Sequence, residues 1–144
     1  MIRHPVDIGP AGNVGLRPQK PPIRELAHSK RIGRFHPFDA TAGRHGLGDD
    51  SREVLEAAAL LANVGLFVSH AGHHKHSYYI IAHSDLMGLA PLEREIVANV
   101  ARYHRKSPPT IEHENFRQLS REGRVKVKMM ASILRLADAL DREH

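Results

Sequence analysis

The chain predicts an all-helical domain behind an irregular basic leader. Three observations carry that prediction. After about residue 45 apolar residues recur at spacings of three and four, the period of a helix with one buried face. Helix start and stop signals bracket these stretches. No segment alternates convincingly as a half-buried strand would.

At 144 residues the chain holds one ordinary domain. Zero cysteines exclude disulfides and thiolate zinc sites. No apolar run approaches the roughly 20 residues of a membrane span, and the Pro/Gly-rich start does not read as a signal peptide. A soluble, cytoplasmic protein with no membrane partner and no specific nucleic-acid partner is expected.

The net charge of +5 is unevenly placed. Residues 1–45 carry eight Lys/Arg against Asp7, Glu25 and Asp39, whereas 46–144 carry 13 basic and 13 acidic side chains. The leader also holds six of the nine prolines and five of the eleven glycines, without a sustained period. Such a segment buries too little apolar surface to offset chain entropy, so it is expected to be irregular or disordered. It is either a basic arm that attracts polyanions or an extension without function. The folded domain is expected over 46–144.

Within that domain Asp50-x-x-Glu53 has the form of a capping box. Leu55, Ala58, Ala59 and Ala62 follow on one face, with Gly65 as the stop. A second helix is predicted from His73 to Ala82, with Tyr78 and Ile81 on one side. Pro91 opens a third, striped by Leu92, Ile96, Val100 and Tyr103/His104. Glu93 and Glu95 sit at its start and Arg102, Arg105 and Lys106 at its end, as the helix dipole favours, before Pro108-Pro109. Ser120 caps a last long helix in which Val125, Met129, Ile133, Leu136 or Ala137, and Leu140 face the core.

Two histidine-bearing boxes carry the chemistry. His70, His73, His74 and His76 fall within seven residues, and Arg102-Tyr103-His104-Arg105-Lys106 follows about 30 residues later. A helix would bring His70, His73 and His74 together at i, i+3 and i+4. Imidazoles so grouped suit a metal, or with Lys75 flank a phosphate, or simply make a solvated helix entrance. His76 leads into the packed Tyr78-Tyr79-Ile80-Ile81 run, so an inward orientation is expected for it. Neighbouring cations disfavour imidazolium at His104, which should be neutral. Asp138, between Ala137 and Ala139, is either a metal ligand or a salt-bridge partner.

Taken in order, Leu55–Leu61, Gly65, Ser69-His70, Gly72–Ile81, Ser84-Asp85-Leu86, Ala101–Lys106 and Leu134–Arg142 resemble the C-terminal HD-type domain of the exopolyphosphatase / guanosine pentaphosphate phosphohydrolase family, over roughly residues 46–144. The resemblance implies a two-part enzyme whose upstream actin-like ATPase-fold domains hydrolyse a terminal phosphoanhydride. The HD-type domain lengthens the groove for the polyanion and helps form the dimer. The 45 residues before it are too few for those upstream domains. The HD pattern sets a His-Asp or His-Glu pair just before the glycine, where this chain has Ala62 and Asn63. His76, His104 and Asp138 match the remaining positions, so the metal site is expected to be vestigial and no cofactor is expected. Restoring the pair, Ala62→His with Asn63→Asp, is expected to recover metal affinity through those three residues.

The expected function is therefore a non-catalytic, dimerising domain that binds polyphosphate or a guanosine pentaphosphate-like polyanion. His73, His74, Lys75, Arg102, Arg105 and Lys106 are its expected phosphate ligands. Two alternatives stand beside it: a free-standing metal-dependent phosphohydrolase, with a divalent metal on His76, His104 and Asp138, and a fragment without independent function.

Overall fold

A computed structural model describes residues 36–142. Among them every regular element is helical, as expected. In chain order these are α1 (His36–Ala40), α2 (Ala42–His45), α3 (Asp49–Leu61), a 3-10 turn (Val64–Phe67), α4 (His73–His83), α5 (Pro91–Arg102), α6 (Glu114–Arg117) and α7 (Arg121–Arg142). α5 is central: α3, α4 and α7 all pack on it.

Residues 1–35 of the expected leader lie outside the described residues. Residues 36–45 depart from expectation, because they form α1 and α2 and place Phe38 in the core. His45 explains how so short a stretch is held. Its Nδ1 accepts from the Leu47 N–H at 2.9 Å, which leaves Nε2–H to donate to the Phe38 carbonyl at 2.9 Å. The same ring packs on Phe38 at 4.3 Å between centroids. The helical domain thus begins before residue 46.

α3 does not start with the expected capping box. Gly48 is its N-cap in extended conformation, without a side-chain cap bond, and Asp49 and Asp50 lie in the first turn where the dipole favours them. Nor is Gly65 a helix stop. It is buried in the 3-10 turn, where a Cβ would lie 2.1 Å from the His73 carbonyl oxygen and 2.5 Å from the Ser77 nitrogen. Only a residue without a side chain lets that turn lie on α4. Ser77, itself buried, locks the contact: its hydroxyl donates to the Ala62 carbonyl at 2.7 Å and accepts from the Gly65 N–H at 2.9 Å.

α4 and α5 fall where expected. Pro91 opens α5, and the Glu93 carboxylate accepts from the Ala90 N–H at 2.8 Å. Ile96, Val97, Val100 and Ala101 are buried on α5, while Leu92 is 61% exposed and leaves the expected stripe. The helix ends at Arg102, so Tyr103 to Lys106 occupy the turn beyond it.

Ser120 caps α7 as expected, its hydroxyl accepting from the Gly123 N–H at 3.0 Å. The buried face of α7 is Gly123, Val127, Met130, Ala131, Ile133 and Leu134. Of the expected core residues only Ile133 is buried, and Val125, Leu136 and Leu140 are exposed. The observed stripe of Val127, Met130, Ile133 and Leu134 keeps the three-and-four spacing on a face rotated from the expected one. Among the described residues no helix is long and apolar enough to cross a membrane.

Candidate functional site

The two histidine boxes meet where α4 begins and α5 ends. Gly72 enters α4 with φ of 68°, the left-handed turn that glycine adopts freely, and so brings His73 over the end of α5. His104 is buried, and its Nδ1–H donates to the Ala101 carbonyl at 2.6 Å. That bond fixes the tautomer and leaves Nε2 as an acceptor, which meets His73 Nε2 at 3.4 Å. Burial pulls His104 below its ordinary value, with His73 and Arg105 adding to the effect, while the Ala101 bond and Asp138 oppose it. It is neutral at pH 7 as expected, though burial rather than the surrounding cations is the first cause.

His74 is lowered further, to about 4, first by burial and then by His73, Arg102, His104 and Lys75. Every charged or ionisable neighbour that depresses it is basic, which describes a local positive potential. Arg102 is steadied there by two rings, its guanidinium carbon 5.7 Å from the Tyr78 centroid and 5.9 Å from that of Tyr103.

The six expected phosphate ligands therefore divide. His73, His74, Lys75 and Arg102 are gathered, with His104 behind them. Lys106 is exposed on the following turn and takes a left-handed backbone, φ 63°, without being glycine. Arg105 points its fork elsewhere: Nε donates to Asp138 Oδ2 at 3.2 Å and Nη2 to Oδ1 at 3.3 Å. Arg142, one turn along α7, also donates to Oδ2. Burial would raise the Asp138 carboxyl, but these two arginines outweigh it and hold the group below its usual range. Of the two roles open to Asp138, salt-bridge partner is the one its contacts show.

Between the end of α3, the turn after α5 and α7 lies a small cavity of about 40 Å³ lined by Ala59, Ala62, Asn63, His104, Leu134, Ala137, Asp138 and Asp141. The positions of the missing His-Asp pair thus do share a pocket with His104 and Asp138. Of the expected vestigial triad of His76, His104 and Asp138, the last two line this pocket and His76 does not. Three residues along a helix turn the side chain about 300° and lift it about 4.5 Å, so the imidazole that reaches His104 is His73. Among the described residues no three His, Asp or Glu side chains are grouped to hold a metal.

Sequence reasoning missed the network that steadies the end of α5. Asn115 Nδ2 donates to Asn99 Oδ1 at 2.7 Å and to the Tyr103 hydroxyl at 3.2 Å, and that hydroxyl pairs with His113 Nδ1 at 3.0 Å. The available signal was Asn99, a polar residue amid the buried Ile96–Ala101 run, which needs a partner. A larger, apolar cavity of about 380 Å³ lies between α2 and α7, against His45 and Met129, and none of the histidine-box residues lines it.

Comparison with known proteins places relatives beside this chain. A guanosine-5'-triphosphate,3'-diphosphate pyrophosphatase of Pseudoalteromonas atlantica is 34% identical over 90 residues, 62% of this chain and 17% of that protein. The protein of the same name from Pseudoalteromonas translucida is 35% identical over 52 residues, 36% of this chain and 10% of its own length. The chain thus spans less than a fifth of the length of these curated relatives. The family model for Ppx/GppA phosphatase, domain III, matches residues 27–144 and so takes in α1 and α2 as well as both histidine boxes; the chain belongs to the Ppx/GppA phosphatase family.

Proposed function

We propose that this domain binds a chain of phosphates without hydrolysing it, as the polyanion-holding part of a Ppx/GppA-type phosphatase. The observation that carries the proposal is the gathering of His73, His74, Lys75 and Arg102 around the buried His104, where α4 begins and α5 ends. A polyphosphate, or a nucleotide such as guanosine pentaphosphate, supplies the anion for this basic surface. Arg102 and Lys75 bind it, His73 and His74 donate where protonated, and Lys106 flanks them. Arg105 supports the surface from behind through Asp138. The absence of a hydrolytic role follows from Ala62 and Asn63, which give the HD-type pocket an apolar and a neutral group in place of metal ligands. The exposed residues Val125, Leu136 and Leu140 along α7 support the dimerising part of the role.

Titration calorimetry of the full chain with inorganic polyphosphate and, separately, guanosine pentaphosphate tests this. Charge-assisted contacts contribute about 1.5–3 kcal/mol each, so Lys75→Ala with Arg102→Ala should weaken binding about tenfold or more and flatten its salt dependence. Preference for one titrant identifies the polyanion, sedimentation of the same samples reads the dimer, and neither titrant should release phosphate. Unchanged affinity in the double variant rejects the assigned surface.

A further inference from the structure

We infer that Arg105 guards the Asp138 carboxylate at the pocket between α3, α5 and α7: its guanidinium engages both carboxylate oxygens, where a divalent ion of the HD-type pattern would bind, and keeps such ions off Asp138.

The donors that line this pocket do not fit a divalent metal. Ala62 has no ligand atom and Asn63 offers a neutral amide. His104 has one ring nitrogen engaged by the Ala101 carbonyl and the other facing His73. Of the two carboxylates that line the pocket, Asp141 is exposed at its edge, whereas Asp138 is half-buried and has both oxygens taken. Arg105 uses Oδ1 and Oδ2 together, and Arg142 shares Oδ2. A metal would have to displace a bidentate fork and then sit beside two fixed positive charges. Guanidinium stays protonated throughout the range in which proteins fold, so acid or base does not open this clamp from the arginine side.

The pairing has a second consequence. Arg105 and Asp138 are 33 positions apart, and their bond ties the turn after α5 to α7. His104 is the adjacent residue, so the same clamp holds its ring against His73. Arg105 is in this sense a positioning residue for the histidine surface. Its side chain is 39% exposed and that of Asp138 24%, and pairs at such exposure add little to global stability. The consequence is therefore to be sought in ion selectivity rather than in the melting temperature.

Manganese binding to full-length variants, read by the electron paramagnetic resonance of free Mn2+, tests the inference. A62H/N63D restores the two missing ligands but keeps Arg105, and it should hold no stoichiometric Mn2+. Adding R105Q removes the cation while keeping a similar length, and A62H/N63D/R105Q should bind one equivalent at least about tenfold more tightly, a factor of ten being about 1.4 kcal/mol. R105K in the same background retains the charge and should stay close to A62H/N63D. Equal affinity with and without Arg105, whether both tight or both absent, overturns the inference. Ala62 is buried, so circular dichroism checks that the A62H variants fold. If they do not, N63D against N63D/R105Q decides the same question, since Asn63 is exposed: Mn2+ must bind only when Arg105 is gone, or the inference falls.

Discussion

Ser77 and His74 stand three residues apart on α4 and belong to regions built on opposite terms. Ser77 is fully buried, and its hydroxyl both donates and accepts within the seam that joins the 3-10 turn to α4. His74 lies at the cationic rim, where partial burial first, and then its basic neighbours, oppose its protonation. In the seam, polar groups are matched to one another and fix where backbones lie. At the rim, like charges are assembled at some loss of stability, an arrangement that makes sense if a ligand completes it. Changes in the seam should therefore register in stability, and changes at the rim in pH response and binding.

The largest effect is expected in the seam, at Gly65. Gly65→Ala places a methyl carbon against the His73 and Ser77 backbone, neither of which can yield without moving α4. Overpacking a closed contact costs about 1–3 kcal/mol, and the Gly65–Ser77 bond is strained with it, so a loss near 3 kcal/mol is expected in urea unfolding. A loss under about 1 kcal/mol would mean that the seam is slack, and the contrast with the rim would dissolve.

How far the sequence discloses each region follows from what fixes it. α4, α5 and α7 were legible because Pro91, Ser120 and the three-and-four spacing are local signals. The phase of α7 was not, since Val125–Leu140 and Val127–Leu134 are both acceptable stripes, and which of them faces α5 is settled by tertiary packing rather than by spacing. Gly65 showed that a glycine was needed, but a helix stop and a close backbone contact look alike in one dimension. At the rim the boxes and their residues were legible, and so was a neutral His104. The choice of His73 over His76 depended on which side of α4 faces the end of α5, and the Arg105–Asp138 pair on a contact across 33 residues. Phe38 and His45 lay in a stretch too short to show a period, and their mutual hydrogen bond is what makes them structure.

A middle-sized effect is expected at His74. Its folded value of about 4 lies below the 6.5 of an unperturbed imidazole, so between those values the unfolded chain binds more protons. The associated stability is whole above about pH 6.5 and is lost as pH falls toward about 4, and His104, shifted the same way, adds to the trend. His74 is only partly buried, and solvent screening holds its share to about 1 kcal/mol. His74→Gln should therefore lose less stability than the parent between about pH 7 and about pH 4.5. Equal losses would place the acid sensitivity elsewhere. Added polyphosphate should reduce the loss in the parent by stabilising the protonated rings.

The smallest effect separates backbone from charge at Lys106. Its φ of 63° is left-handed, a region where a Cβ crowds the backbone at a cost of about 1 kcal/mol and where glycine rests freely. Glycine also widens the unfolded ensemble, which offsets part of the gain. Lys106→Gly should thus raise stability by about 0.5 kcal/mol, whereas Lys106→Ala keeps the Cβ and the strain and should raise it by nothing. Both substitutions remove the same ammonium group, so both should weaken polyphosphate binding alike. If glycine and alanine are equal in stability, the turn relaxes when lysine is replaced and its left-handed backbone is not fixed by the rim. If instead glycine alone also weakens binding more than alanine, the strained turn itself orients the rim for the anion, and seam and rim are less separable than Ser77 and His74 suggest.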